Sequence, residues 1–252
     1  NKTVRSDQPT GSLLLDLIRY QQKLKGTKIG CREGDCGACT VLAGQLVDGK
    51  MEYEHLTSCL TPIANIHGKH VVTVEGLSME KLSPIQQAMV DESGTQCGFC
   101  TPGFVMSLTN YSLLNQKPDQ EGAIAAIDGN ICRCTGYKSI ERAALSIVDQ
   151  LANRDSELPI DWLVANKFIP EYFLSIPDRI EKLSTQELLV DGPFVGGGTD
   201  LYVQRPDDLV TQNIRPTRQQ EGFRSVKTEN GRCIIGAGST VSDLEKSEVY
   251  NQ

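Results

Sequence analysis

Cysteine is the residue type in this chain best placed to do chemistry. The densest stretch runs from Cys97 to Cys134 and reads Cys97-Gly98-Phe99-Cys100, then 31 residues, then Cys132-Arg133-Cys134. Pairs with two and one residues between them bring thiolates within reach of one metal centre. They are too close in sequence for structural disulfides between near neighbours. Four cysteines at one site mean zinc or an iron–sulfur cluster first. The flanks read as helix starts. Thr101-Pro102 supplies an N-cap and a proline at the first helical position. Ser139 is the expected cap for the run Ile140, Ala143, Ala144, Ile147 and Leu151. Helix N-termini present free N–H groups, which suit an anionic thiolate cluster.

A second group lies upstream, within Gly30-Cys31-Arg32-Glu33-Gly34-Asp35-Cys36-Gly37-Ala38-Cys39, with Cys59 following later. The spacing Cys31-x4-Cys36-x2-Cys39 is that of plant-type [2Fe–2S] ligation. Three cysteines on one tight loop wrap the cluster, and a fourth from another segment closes it. Gly30, Gly34 and Gly37 permit positive φ and a close approach of N–H groups to sulfur.

The elements that must hold these loops follow from hydrophobic pattern. Lys2 to Arg5 reads as a strand, with a few residues expected before it. Ser12 is the expected cap of a helix burying Leu14, Leu15, Leu17 and Ile18. Thr40 to Val47 and Lys50 to Leu56 form a hairpin about Asp48-Gly49, and Val71 to Val74 is a further strand. Residues 76–150 turn helical. Ser83-Pro84-Ile85-Gln86 is a capping box, with Ile85, Ala88 and Met89 as the buried face and Gly94 as the stop. A helix from Pro102 buries Phe104, Val105, Leu108 and Tyr111. Another, capped by Asp119, carries Ala123, Ile124 and Ile127 and stops at Gly129. Residues 151–175 read as a connector whose aromatics, Trp162, Phe168, Tyr172 and Phe173, are packing anchors.

From about 176 the pattern becomes helix, strand and turn. Thr185 to Leu189 is a short helical stretch. Pro193-Phe194-Val195 runs as a strand into Gly196-Gly197-Gly198-Thr199-Asp200-Leu201. This is not a dinucleotide fingerprint, because Leu201 stands where a third Gly is needed. Nor is it a P-loop, since no Lys-Ser/Thr comes after the glycines. Three glycines and a hydroxyl can still present N–H groups to a pyrophosphate, and an ordinary strand-end turn fits the same residues. Cys233-Ile234-Ile235 runs likewise into Gly236-Ala237-Gly238-Ser239-Thr240, with Cys233 expected as a buried core thiol.

Bulk properties narrow the class. A length of 252 residues allows two or three small domains, and a net charge of -7 argues against nucleic acid and against an anionic membrane surface. No apolar run approaches the ~18 residues of a membrane span. Nine cysteines also fit a secreted disulfide scaffold, but their clustering and the lack of a leader favour a cytoplasmic metalloprotein.

The chain closely resembles the iron–sulfur and flavin part of the xanthine dehydrogenase (molybdenum hydroxylase) family. The resemblance rests on Cys31-Arg-Glu-Gly-Asp-Cys36-Gly-Ala-Cys39, Gln96-Cys97-Gly-Phe-Cys100-Thr-Pro-Gly103 and Gly129-Asn-Ile-Cys132-Arg-Cys134-Thr-Gly-Tyr137. It implies an α+β chain. A β-grasp [2Fe–2S] domain over 1–75 uses Cys31, Cys36, Cys39 and Cys59. A four-helix [2Fe–2S] domain over 76–150 uses Cys97, Cys100, Cys132 and Cys134. A linker at 151–175 leads to the start of an α+β FAD-binding domain at 176–252. It implies that Val195, Gly196, Gly197, Gly198, Thr199, Asp200 and Leu201 bind the FAD pyrophosphate, and that Gln96 contacts a pterin. Electrons would pass from a molybdenum–pterin centre through both clusters to FAD, then to NAD or oxygen. The family's molybdenum domain is absent from this sequence, so a large molybdenum-binding partner in a hetero-oligomer or a larger parent chain would carry it, and no catalytic residue is expected here.

The relay logic also stands alone. Hydroxylation and flavin reduction are two-electron events, whereas a [2Fe–2S] cluster carries one electron at a time. Arg32, Arg133 and Lys138 lie near ligands and could offset the cluster charge. The competing readings are a four-cysteine zinc module that binds other proteins and an iron–sulfur redox sensor.

Overall fold

The computed structural model describes residues 2–183, 190–217, 222–245 and 247–250. Near the N-terminus lies α1 (Leu14–Asp16), continued by a π-helical turn over Leu17–Gln21. Then come β1 (Thr40–Val47), β2 (Lys50–Thr57) and β3 (His70–Val72), and four helices: α2 (Pro84–Asp91), α3 (Thr101–Leu113), α4 (Gln120–Ala125) and α5 (Lys138–Gln150). After them come α6 (Pro159–Ala165) and α7 (Ile176–Lys182). The last part holds β4 (Phe194–Val195), α8 (Leu201–Gln204), α9 (Pro206–Val210), β5 (Arg215–Pro216), β6 (Val226–Glu229), β7 (Arg232–Ile235) and α10 (Val241–Glu245). No helix among the described residues is long and apolar enough to cross a membrane.

The first sheet is antiparallel, in the order β2-β1-β3. Its hairpin closes where expected, with Val47 opposite Lys50 and positive φ at Asp48 and Gly49. That geometry matches the right-handed twist of the strands. Lys2 to Arg5 is exposed and joins no sheet, so the strand expected there is not formed. The third strand ends at Val72 rather than Val74, because Val74–Leu77 turns into a 3-10 helix. Ser12 does not cap α1. Leu13 holds the N-cap position, and the Ser12 hydroxyl donates to Val210 O at 3.2 Å, tying the chain start to its last third. Leu14, Leu15, Leu17 and Ile18 are buried as the pattern requires.

Of the four helices α3 packs against β1 and β2, with α2 and α4 packed on α3 and α5 on those two, and Leu42, Met51, Tyr53 and Val72 share the helical core. The capping box at Ser83 forms in full: its hydroxyl accepts Gln86 N–H at 3.2 Å, and Gln86 Oε1 accepts Ser83 N–H at 2.9 Å. Asp119 caps α4 by accepting Gly122 N–H at 2.7 Å. The central helix is α3, buried from Gly103 to Leu113. Its polar residues tolerate this because Thr109 and Ser112 bond back to Val105 O and Leu108 O. Two expected caps move. Thr101 is the first helical residue and Cys100 the N-cap. Ser139 lies inside α5, and Tyr137, at φ 69°, takes the cap position. In both cases the cysteine loop sets the helix start one or two residues early.

The stretch 151–175 is folded. Phe168 and Phe173 are buried in the helical core, with Trp162 and Tyr172 packed against it. Arg154 is buried, and its guanidinium donates to the carbonyls of Ser112, Leu114 and Gln116, closing the open end of α3. Further on, β4 pairs in parallel with β5, and β6 with β7 as an antiparallel hairpin. Cys233 is exposed rather than buried, because nothing among the described residues covers β7. The helical stretch expected at Thr185 to Leu189 lies outside the described residues.

Candidate metal centres

The first cysteine group sits at the end of the sheet where β1 starts and β2 stops. Cys39 immediately precedes β1, Cys59 lies two residues beyond β2, and both are buried. Ser58 locks them together through its hydroxyl, which donates to Cys39 O at 2.7 Å. A hydrogen bond from the Cys59 thiol holds Cys39 down to about 6 against its burial, and the same contact pushes Cys59 up. Cys31 and Cys36 form a second pair nearer the surface. Burial raises Cys31, but the N–H groups of Glu33, Cys36 and Asp35 outweigh it, and Glu33 N lies 3.3 Å from the sulfur. Burial pushes Cys36 up. Positive φ at Arg32, Gly34 and Gly37 turns the loop about these sulfurs. Gly30 acts by size instead: a Cβ there would stand 2.6 Å from Cys36 Sγ.

The second group is also two pairs. Cys97 and Cys134 are exposed, with sulfurs 3.5 Å apart. Cys100 and Cys132 pair beneath them. Burial and the Cys132 contact push Cys100 up to about 12. Burial raises Cys132 too, but the Thr135 hydroxyl, 3.2 Å from its sulfur, and nearby N–H groups bring it below the ordinary thiol value. Tyr137 Oη accepts Cys132 N–H at 3.1 Å, so the strained Tyr137 backbone also shapes the ligand loop. Of the neighbouring cations, Arg32 pairs with Asp16 at 2.8 Å and Lys138 with Glu141 at 2.6 Å. Arg133 is exposed without an ion pair among the described residues. Gln96 is exposed beside Cys97.

Two thiols per metal, twice over, is the donor set of a di-iron, two-sulfide unit. The paired thiols of each group therefore fit a [2Fe–2S] cluster.

The two groups meet across one seam. Ile131 N–H donates to Cys36 O at 3.0 Å, so the carbonyl of one cysteine bonds the residue preceding Cys132. Asn130, 4 % exposed, seals the seam. Its amide donates to Gly37 O at 3.1 Å and its carbonyl accepts from Ser107 at 2.7 Å. Gly37 and Gly103 are glycine because a Cβ on either would stand 2.3 Å from the other side of this seam. Asn130 lies inside the motif from Gly129 to Tyr137, yet only its burial reveals its task.

The glycine loop lies close to the first group. Val195, Tyr202, Leu209 and Ile214 share a core with Cys39, Cys59 and Leu60. Val195 is thus a packing residue, and Leu201 packs partly against the same core. Gly196, Gly197 and Thr199 are exposed, whereas Gly198 is buried with φ 88°. The N–H groups of Gly197, Gly198 and Thr199 find no acceptor among the described residues. Thr217 is 8 % exposed and its Oγ1 has no partner among the described residues, and a Cβ on Gly196 would stand 3.8 Å from it. Unpaired donors of this kind fit a diphosphate. The Asp200 carboxylate, the one anion in the loop, accepts from Gln204 Nε2 at 2.8 Å.

Comparison with known proteins agrees with this geometry. Residues 1–64 match the family model for a 2Fe-2S iron-sulfur cluster binding domain, and residues 73–145 that for a [2Fe-2S] binding domain. The nicotine 6-hydroxylase small subunit of Paenarthrobacter nicotinovorans is 44% identical over 142 residues, covering 56% of this chain and 81% of the relative. The chain belongs to the xanthine dehydrogenase/molybdenum hydroxylase family. It carries that family's two iron–sulfur domains, and its relatives are oxidoreductases. Xanthine dehydrogenase of Blastobotrys adeninivorans is 46% identical over 149 residues, which is 57% of this chain but 10% of that protein. Aldehyde oxidoreductase from Desulfovibrio gigas superposes with a TM-score of 0.50 at 33% identity, covering 69% of this chain and 17% of that one. The chain thus spans a small part of the larger relatives it matches.

Proposed function

We propose that this chain is the electron relay of a molybdenum hydroxylase. In this reading Cys31, Cys36, Cys39 and Cys59 hold one [2Fe–2S] cluster, and Cys97, Cys100, Cys132 and Cys134 hold the other. The observation that carries it is the division of eight thiols into four pairs, two in each group, with the Ile131–Cys36 hydrogen bond joining the two groups. When bound, such clusters supply one-electron transfer. The protein's own part is to shield Cys39 and Cys59 from water, to leave Cys97 and Cys134 at the surface, and to fix the distance between the two groups.

Residues 1–75 and 76–150 serve as the two cluster domains, and 151–175 joins them to residues 176–252, which begin an FAD-binding domain. The exposed Cys97/Cys134 face, rimmed by Phe99 and Ile131 at 46% and 41% exposure, suits contact with a large molybdenum–pterin chain. Gln96 stands there as a pterin contact. At the other end, the shared core of Cys59 and Val195 favours FAD on the glycine loop Val195 to Leu201, with NAD or oxygen as the final acceptor. The relay thus runs from the exposed group to the buried group and on to the flavin loop.

Protein isolated anaerobically should contain about four iron and four acid-labile sulfide per chain and give two EPR signals on reduction. Cys132→Ser should remove one signal and spare the other. Stoichiometric zinc with negligible sulfide would establish the zinc-module reading instead.

A further inference from the structure

We infer that Asn65 is a positioning residue that aims the N–H groups of the glycine loop at their anion. The inference rests on reading that loop as the FAD diphosphate site. Asn65 belongs to the other end of the chain, in the 3-10 turn Ile63–Ile66, six residues beyond Cys59. Its Nδ2 donates to Gly196 O at 3.1 Å and to Gly197 O at 3.4 Å.

Peptide planarity makes this contact directional. In each trans peptide unit the C=O and the following N–H point in opposite directions. The Gly196 carbonyl shares its unit with Gly197 N–H, and the Gly197 carbonyl shares its unit with Gly198 N–H. Drawing both carbonyls onto Asn65 therefore turns those two N–H groups to the far side of the loop. There they have no acceptor among the described residues. Successive N–H groups facing one way make an anion-binding concavity. Gly198 at φ 88° supplies the left-handed step, and a Cβ on it would collide with Tyr202 Cδ2 at 2.8 Å.

A second observation is independent of Asn65. The buried Thr217 hydroxyl beside Gly196 has no partner among the described residues. Buried polar groups are rarely left so unless a ligand or water completes them. Asn65 and Cys59 share one short segment, so the loop is registered against the first cysteine group by the same contact that orients it.

The test uses the full-length protein, stripped of flavin and titrated with FAD by fluorescence quenching. Asn65→Asp keeps the shape but replaces the donor by an acceptor that repels both carbonyls. It should weaken FAD binding about tenfold or more, the loss of a charge-sensitive hydrogen-bonded contact, with the cluster EPR signals and thermal midpoint unchanged. Thr217→Val should weaken FAD several-fold with the same signals retained. Wild-type affinity in Asn65→Asp overturns the inference while leaving the flavin reading in place. A wild-type protein that takes up no FAD removes that reading and the inference with it. Loss of the EPR signals along with FAD in Asn65→Asp assigns the residue to folding alone and also overturns it.

Discussion

Gly103→Ala is the sharpest test of the seam between the two cysteine groups. In an ordinary helix interior this change stabilises by about 1 kcal/mol, because alanine is the better helix former. Gly103 lies in the first turn of α3. Its new Cβ would stand 2.3 Å from Gly37 O and 2.9 Å from Asn130 Nδ2. The carbonyl cannot swing aside, since Thr40 N–H, Thr40 Oγ1 and Asn130 Nδ2 hold it at 3.1, 2.7 and 3.1 Å. Overpacking costs about 1–3 kcal/mol. Spreading the seam also sacrifices Asn130→Gly37 and Ile131→Cys36, about 1 kcal/mol each. Against the propensity gain, a net loss of about 2–4 kcal/mol remains. Urea unfolding followed by circular dichroism measures it, and the magnetic interaction between the reduced clusters should weaken in parallel. Asn130→Ala should not rescue the variant, because the nearest obstacle is backbone. A Gly103→Ala protein as stable as wild type, with the interaction intact, would refute the account of the seam.

Two further perturbations probe the scaffold. His70 packs against Tyr53, Tyr172 and Phe173, with Nδ1 2.9 Å from Tyr53 Oη. Burial, helped by the Arg179 charge, holds it down to about 4, against about 6.5 in the unfolded chain. The unfolded state therefore binds the extra proton between these values. Stability is full above pH ~6.5 and declines as pH falls toward 4, by up to about 3 kcal/mol; urea midpoints at pH 7 and 4.5 should differ accordingly, and His70→Phe should flatten the difference. Arg154→Met should destabilise by about 3–5 kcal/mol in thermal or urea unfolding, because three carbonyls at the end of α3 lose a buried charged donor. A loss below 1 kcal/mol would mean that water replaces the guanidinium.

Much of this architecture was legible from local signals. The Asp48-Gly49 hairpin, the Ser83 capping box and the Asp119 cap each depend on a few adjacent residues, and each forms as expected. Signals needing a partner fared worse. Lys2 to Arg5 has strand-like residues but no neighbour to pair with among the described residues. Ser12 has a capping side chain, but Val210 claims its hydroxyl. Cys233 has core chemistry but no covering layer among the described residues.

The cysteine spacings by themselves determined that two groups of four thiols exist and what chemistry they suit, because loop ligation is a short-range property of the chain. The sequence could not pair those thiols, set Asn130 between the groups, or bring Asn65 onto a glycine loop 131 residues away. Those choices fell to tertiary packing. A hydrogen bond between distant residues depends on where whole elements dock, and docking is decided by the shared cores that join sheet, helices and glycine loop.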